Sequence, residues 1–90
     1  MTVQRILEIR RRLMEAFAPV ELEIIDEGHL HVGHEGAKSG LGHFRVVIVS
    51  EQFRGLRRIQ THRLVYDALG TLMQSDIHAL SVEASAPTTD

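Results

Sequence analysis

The chain changes its hydrophobic period at Ala18-Pro19, and that change restricts the folds open to it. Before this point Val3, Ile6, Leu7, Leu13, Met14 and Phe17 recur at helical spacing, which predicts an amphipathic helix over 3–17 with Thr2 as its N-cap. Proline has no backbone N–H and pushes the residue before it away from helical conformation, so the helix is expected to stop there. Beyond it Val20, Leu22 and Ile24 alternate with Glu21 and Glu23, the period-2 pattern of a strand with one buried face. Asp26-Glu27-Gly28 closes that strand.

From Gly28 to Gly42 the chain is rich in glycine, carries His29, His31 and His34, and has no period. It is read as a long exposed loop, a kind of segment that often carries function. Strand character returns over 43–50, where Phe44, Val46 and Ile48 share one face and Val47 and Val49 the other. Apolar residues on both faces predict a central strand. Phe53 and Gly55 mark a short turn or helix. A longer helix is expected over 59–73, with the stripe Ile59, His62, Tyr66, Leu69 and Met73 flanked by Val65 and Leu72. Gly70 costs that helix about 1 kcal/mol relative to alanine and is expected to be tolerated. A last strand is read over 77–84, and 85–90 is expected to be a flexible C-terminal tail.

The order of elements implies an α/β chain of the two-layer α+β kind. A three-stranded sheet with both helical stripes on one face buries them in a single domain spanning 1–90. The last strand follows a helical crossover, so it is expected to run parallel to one of the earlier two.

Ninety residues with 43% hydrophobic content suit one compact core. There is no cysteine, so disulfides, thiolate ligands and thiol nucleophiles from this chain are excluded, and any thiolate chemistry must come from a partner. No apolar run approaches the roughly 20 residues of a membrane span, and no secretion signal is readable, so a soluble, cytoplasmic protein is expected. The formal net charge of −2 gives no global attraction to phosphates, although Arg54, Arg57, Arg58 and Arg63 concentrate positive charge in one stretch.

An enzyme is not expected. Ser39, Ser50, Ser75, Ser81 and Ser85 have no nucleophile-elbow context, and no glycine-rich loop opens a helix in a phosphate-binding pattern. Of the six histidines, His29, His31, His34 and His43 fall close together. Histidine both titrates near neutral pH and ligates metals. The spacing of His29, His31 and His34 fits no standard zinc motif. By parity His78 goes with Leu80 and Val82, the pattern of a partly buried strand residue. His43 lies opposite Phe44, Val46 and Ile48, as a strand-start residue bonding to the loop or as a group behind a metal ligand. His62 sits in the helical stripe and is read as structural.

Several pieces, in order, are more specific than their periods. They are Asp26-Glu27-Gly28-His29-Leu30-His31, Gly42-His43-Phe44-Arg45-Val46-Val47-Ile48-Val49-Ser50, Phe53-Arg54-Gly55, Thr61-His62-Arg63-Leu64-Val65-Tyr66-Asp67-Ala68-Leu69 and Ile77-His78-Ala79-Leu80-Ser81. Together they span nearly the whole chain, and it resembles the BolA family.

The resemblance implies an αββααβ topology similar to the type II KH domain. It also implies a non-enzymatic adaptor or regulator that pairs with a monothiol (CGFS-type) glutaredoxin to bind, transfer or sense a [2Fe-2S] cluster. In such pairs the glutaredoxin cysteine and glutathione hold one iron, and the BolA-like chain supplies a histidine near the start of its last strand and a second ligand from the loop. By position these are His78 and His31, with His29 and His34 as alternative loop ligands; no cofactor is expected when the chain is isolated. Imidazole in place of thiolate raises a cluster's reduction potential. Ligation needs neutral imidazole, so cluster binding is expected to weaken as pH falls through the histidine range.

Members of the family are also described as DNA-binding regulators in stress response. A KH-like transcription regulator is therefore the alternative, with Arg54, Arg57, Arg58 and Arg63 as docking residues for DNA or for a protein partner. A KH domain clamps nucleic acid with a GxxG loop. Here Arg54-Gly55-Leu56-Arg57 has one glycine, and Phe53 and Tyr66 are the aromatics near it. No membrane partner is expected, and homodimerisation stays open.

Overall fold

A computed structural model describes residues 2–27 and 42–88, and of Thr2 and His78 the backbone only. Helix α1 spans Thr2–Phe17, strand β1 Glu21–Asp26 and strand β2 Gly42–Val49. A 3-10 turn follows at Glu51–Phe53, then helix α2 at Arg58–Leu69, the single-turn helix α3 at Leu72–Ser75 and strand β3 at Ile77–Ser85. The expected order stands. The Thr2 N-cap falls outside the described side chains.

The sheet has the order β1-β2-β3, with β2 antiparallel to β1 and parallel to β3. Its register sets Leu22 against Ile48, Ile24 against Val46, Phe44 against Leu80 and Val46 against Val82. One face is therefore continuously apolar, and both long helices cover it. Ile9, Leu13 and Phe17 from α1 meet Phe44, Val46, Ile48 and Val82 from the sheet and Val65 and Leu69 from α2. The opposite face carries Glu21, Glu23, Ser81 and Glu83, all exposed, and an Arg45–Glu83 ion pair crosses it between strands. The central position expected for β2 is found, with its second face half-buried rather than packed.

Both helices bury a face rotated from the expected stripe. In α1 the core side is Ile6, Ile9, Leu13 and Phe17, while Val3, Leu7 and Met14 are exposed. The apolar surface of α1 is wider than the face the sheet covers. In α2 the buried residues are Thr61, Val65 and Leu69, whereas Ile59 and Tyr66 are exposed. His62, expected in the core, is half-buried at its margin.

The helix expected to continue through Gly70 ends there. Gly70 has φ +53, ψ −126, a conformation suited to glycine, and its N–H donates to the Tyr66 carbonyl at 3.0 Å. Arg12 locks this corner, donating from Nη1 to the Leu69 carbonyl at 2.8 Å. At the other helix end Ala18 takes φ +43, its N–H on the Met14 carbonyl at 3.0 Å, and Pro19 prevents helical continuation. Of the segment 85–90 the described residues reach 88. Ser85 belongs to β3, and the Pro87 carbonyl accepts from Arg54 at 2.8 Å.

Candidate functional site

The loop between β1 and β2 leaves and re-enters the sheet beside the start of β3. At its departure Glu27 N–H donates to the His43 carbonyl at 2.8 Å, and at its return Gly42 N–H donates to the Asp76 carbonyl at 2.9 Å. Gly42 pairs with Ile77 and His43 with Ala79. His78 is therefore the extra residue of a β-bulge, a device that re-aims side chains and ends regular pairing, often next to functional sites. Alternation is broken there: Ile77 is in the core and so is Val82, although they lie an odd number of residues apart. The parity that grouped His78 with Leu80 and Val82 does not carry through the bulge.

His29, His31 and His34 lie outside the described residues, and so does the side chain of His78. What the fold does provide is backbone convergence: both stems of the loop are hydrogen-bonded to the sheet end at which β3 begins. His43 is buried there, 6% exposed, although its parity sets it opposite Phe44. Arg5 reaches from α1 to Asp76, with Nε 3.4 Å from Oδ2. The Ser75 hydroxyl, and to a lesser extent Arg5, hold the Asp76 carboxyl below its ordinary range. Among the described residues no three potential metal ligands come together.

The basic residues form a second region, at the far end of β3. A groove of about 730 Å³ runs between the Arg54–Leu56 turn, the first turns of α2 and the last residues of β3. Arg54 and Arg58 both border it, with His62 one turn along α2 from Arg58. Arg54 is engaged by Glu51 and the Pro87 carbonyl; Arg57, Arg58 and Arg63 are exposed. Phe53 is unavailable for stacking, being 3% exposed and packed on Phe17 with ring centroids 4.9 Å apart. Tyr66 stands 6.5 Å from the His62 ring, and its hydroxyl is 3.5 Å from the Leu80 carbonyl. No sequence signal foretold the groove, because residues far apart in the chain make its two walls.

The family model described as BolA-like protein matches residues 13–89. The chain belongs to the BolA-like protein family. An uncharacterized protein in the cobS 5' region of Sinorhizobium sp is 44% identical over 81 residues, covering 88% of this chain and 87% of that protein. The DNA-binding transcriptional regulator BolA of Haemophilus influenzae is 36% identical over 87 residues, covering 97% and 80%. Among solved structures, BolA1 from Arabidopsis thaliana superposes with a TM-score of 0.80 at 35% identity over 96% of this chain and 95% of that one. The family expected from the scattered motifs is thus the family found. The small α+β fold with its mixed sheet is the fold of BolA domains. No helix among the described residues is long and apolar enough to cross a membrane.

Proposed function

We propose that this BolA-like chain is a non-enzymatic cytoplasmic adaptor that holds a [2Fe-2S] cluster jointly with a monothiol glutaredoxin and glutathione. His78 is its strand ligand and His31 its preferred loop ligand, with His29 and His34 as the alternatives. The observation that carries this reading is the return of the segment at Gly42, which is bonded to Asp76 and paired with Ile77 beside the bulge that contains His78, while its departure at Glu27 is bonded to His43 one strand over. A bulge at a strand end sets a residue outside regular pairing, and a tethered loop can bring a second imidazole to the same place without disturbing the core. The donor chemistry fits. With no cysteine in the chain, thiolates come from the glutaredoxin and glutathione while this chain contributes neutral imidazoles.

The test is to mix the protein with cluster-loaded monothiol glutaredoxin and follow visible absorption, circular dichroism and a sizing column. New cluster bands together with a heterodimer are expected. Unchanged spectra with no heterodimer sink the proposal.

A second reading, DNA binding, draws on the name of the Haemophilus influenzae relative and on exposed Arg57, Arg58 and Arg63. It predicts affinity that falls steeply with salt as condensed counterions are released. Failure to bind duplex DNA at low salt removes it.

A further inference from the structure

The groove at the far end of β3 has one wall that is an open strand edge. Among the described residues β3 has a strand neighbour on one side only, β2. Ser50 N–H donates to the Ser85 carbonyl at 2.9 Å, so Ser85 turns its peptide groups toward β2. Strand alternation then turns those of Val82 and Ala84 to the open side. Natural edge strands are commonly blunted by lysine, proline or a bulge. Here the bulge is at His78 and the proline at Pro87, and the one charge in the stretch between them, Glu83, is engaged by Arg45. Tyr66, with its hydroxyl near the Leu80 carbonyl, closes the N-terminal end of that stretch.

Facing this edge, Arg58 and His62 lie at successive turns of α2 with Leu56 beside them, and Tyr66 one turn further on reaches the Leu80 carbonyl. The nearby acids are already taken, Glu51 by Arg54 and Glu83 by Arg45. Among the described residues no ion pair takes up Arg57, Arg58 or Arg63. We propose that this groove receives an extended, acidic segment of a partner protein, which joins β3 as an added strand. Backbone hydrogen bonds to Val82 and Ala84 supply the affinity, and Arg58 with its basic neighbours selects negative side chains.

A second copy is a poorer occupant than an acidic segment, because it brings its own Arg57 and Arg58 and, among the described residues, no unpaired acid at this edge to meet them. Single-stranded nucleic acid fits less well than a peptide. The turn has one glycine of the two a GxxG clamp uses, and Phe53 is buried. This site lies at the opposite end of β3 from His78 and stands independently of cluster binding.

The probes are a fluorescein-labelled hexapeptide of alternating valine and glutamate, its lysine analogue, and glutamate versions N-methylated on either alternate set of residues. A short oligothymidine strand is the nucleic-acid probe. Binding is read by anisotropy, and its place by amide shifts in the full-length protein. The glutamate peptide is expected to move the amides of Val82, Ala84 and Arg58. N-methylation of one alternate set, the one facing β3, is expected to weaken it by at least about tenfold. Arg58→Glu, at an exposed position, is expected to weaken it about as much and to favour the lysine peptide. Equal binding by both methylated peptides, or indifference to Arg58→Glu, overturns the proposal. So does binding of oligothymidine at these residues in preference to the peptide.

Discussion

The two ends of β3 differ in backbone regularity. At the start, a bulge at His78 interrupts pairing with β2, and a tethered loop adjoins it. At the finish, regular pairing continues to Ser85, and it is the far edge that is open, beside a helix that presents arginine. Irregular backbone suits point ligation by side chains, whereas a regular edge suits backbone recognition of another strand. One strand can therefore carry two functions without either intruding on the core between them, where Leu80 and Val82 face Phe44 and Val46.

The sharpest way to break this division is to exchange the histidines at its two ends. His78→Ala is expected to abolish the spectral change seen with cluster-loaded glutaredoxin, while His62→Ala, from the groove wall, leaves it intact at equal folded fraction. The reverse ranking assigns the cluster to the wrong end of β3.

Next in size is the backbone that frames the bulge. A Cβ built on Gly42 lies 2.6 Å from Cζ of Phe44, a residue 2% exposed, so the ring must shift to admit it. Gly42→Ala is expected to cost about 1–3 kcal/mol through overpacking, measured by urea unfolding. It should also impair the cluster end more than peptide binding in the groove. A neutral substitution would show that the Phe44 ring yields more easily than its burial suggests.

Ser50 tests the other end. Its side chain is buried, donates to the Phe17 carbonyl at 2.7 Å, and accepts from Gln52 N–H at 3.2 Å. It joins the end of α1 to the turn that bounds the groove. Ser50→Ala leaves a buried carbonyl without its donor and is expected to cost about 1–2 kcal/mol. Peptide affinity should fall with it while the cluster spectra do not change.

How legible these two ends were in the sequence follows from the range of the interactions that make them. Strand alternation is local, so Leu22, Ile24, Phe44, Val46 and Ile48 were assigned to the right face from their period alone. The helical stripes were less well phased. Val3, Leu7 and Met14 are as apolar as Ile9, and only the position of the sheet decides which row it covers. Gly70 was underestimated because its role depends on tertiary context. Arg12, far away in the chain, satisfies the carbonyl that the ended helix leaves at Leu69. The bulge at His78 is a mismatch between two strands and leaves no mark in either sequence. His78 and His31 are proposed on resemblance alone, with no help from period, and their side chains lie outside the described residues. The open edge of β3 requires knowing the strand order, which makes the groove the least legible feature of all.

Gly70 and Ala18 make a paired test of those helix ends, with smaller effects. Gly70→Ala puts a side chain into a backbone conformation suited to glycine, with the new Cβ 3.4 Å from Arg12 Nη1. It is expected to lower stability by about 1–2 kcal/mol. Ala18→Gly relieves a left-handed alanine and is expected to raise stability by less than about 1 kcal/mol. Thermal unfolding midpoints moving in the same direction would refute the assigned geometry.

The smallest effect concerns the charged face of α1, remote from both ends of β3. Hydrogen bonds from Arg11, then Arg12, hold the Glu8 carboxyl down to about 2, against an ordinary 4.5. A carboxyl whose pKa is lowered by folding stabilises the folded state above its ordinary value and loses that contribution as pH falls toward the folded one. The difference in melting temperature between the protein and Glu8→Gln is therefore expected to be constant well above pH 4.5, to shrink as pH falls below it, and to vanish only below about pH 2. The surface position and screening by water keep it small. Because Arg12 also donates to the Leu69 carbonyl, Glu8→Gln leaves the corner of α2 in place, and neither cluster spectra nor peptide affinity should respond. A response at either end of β3 would mean that the α1 charge network positions the sheet as well as the helix.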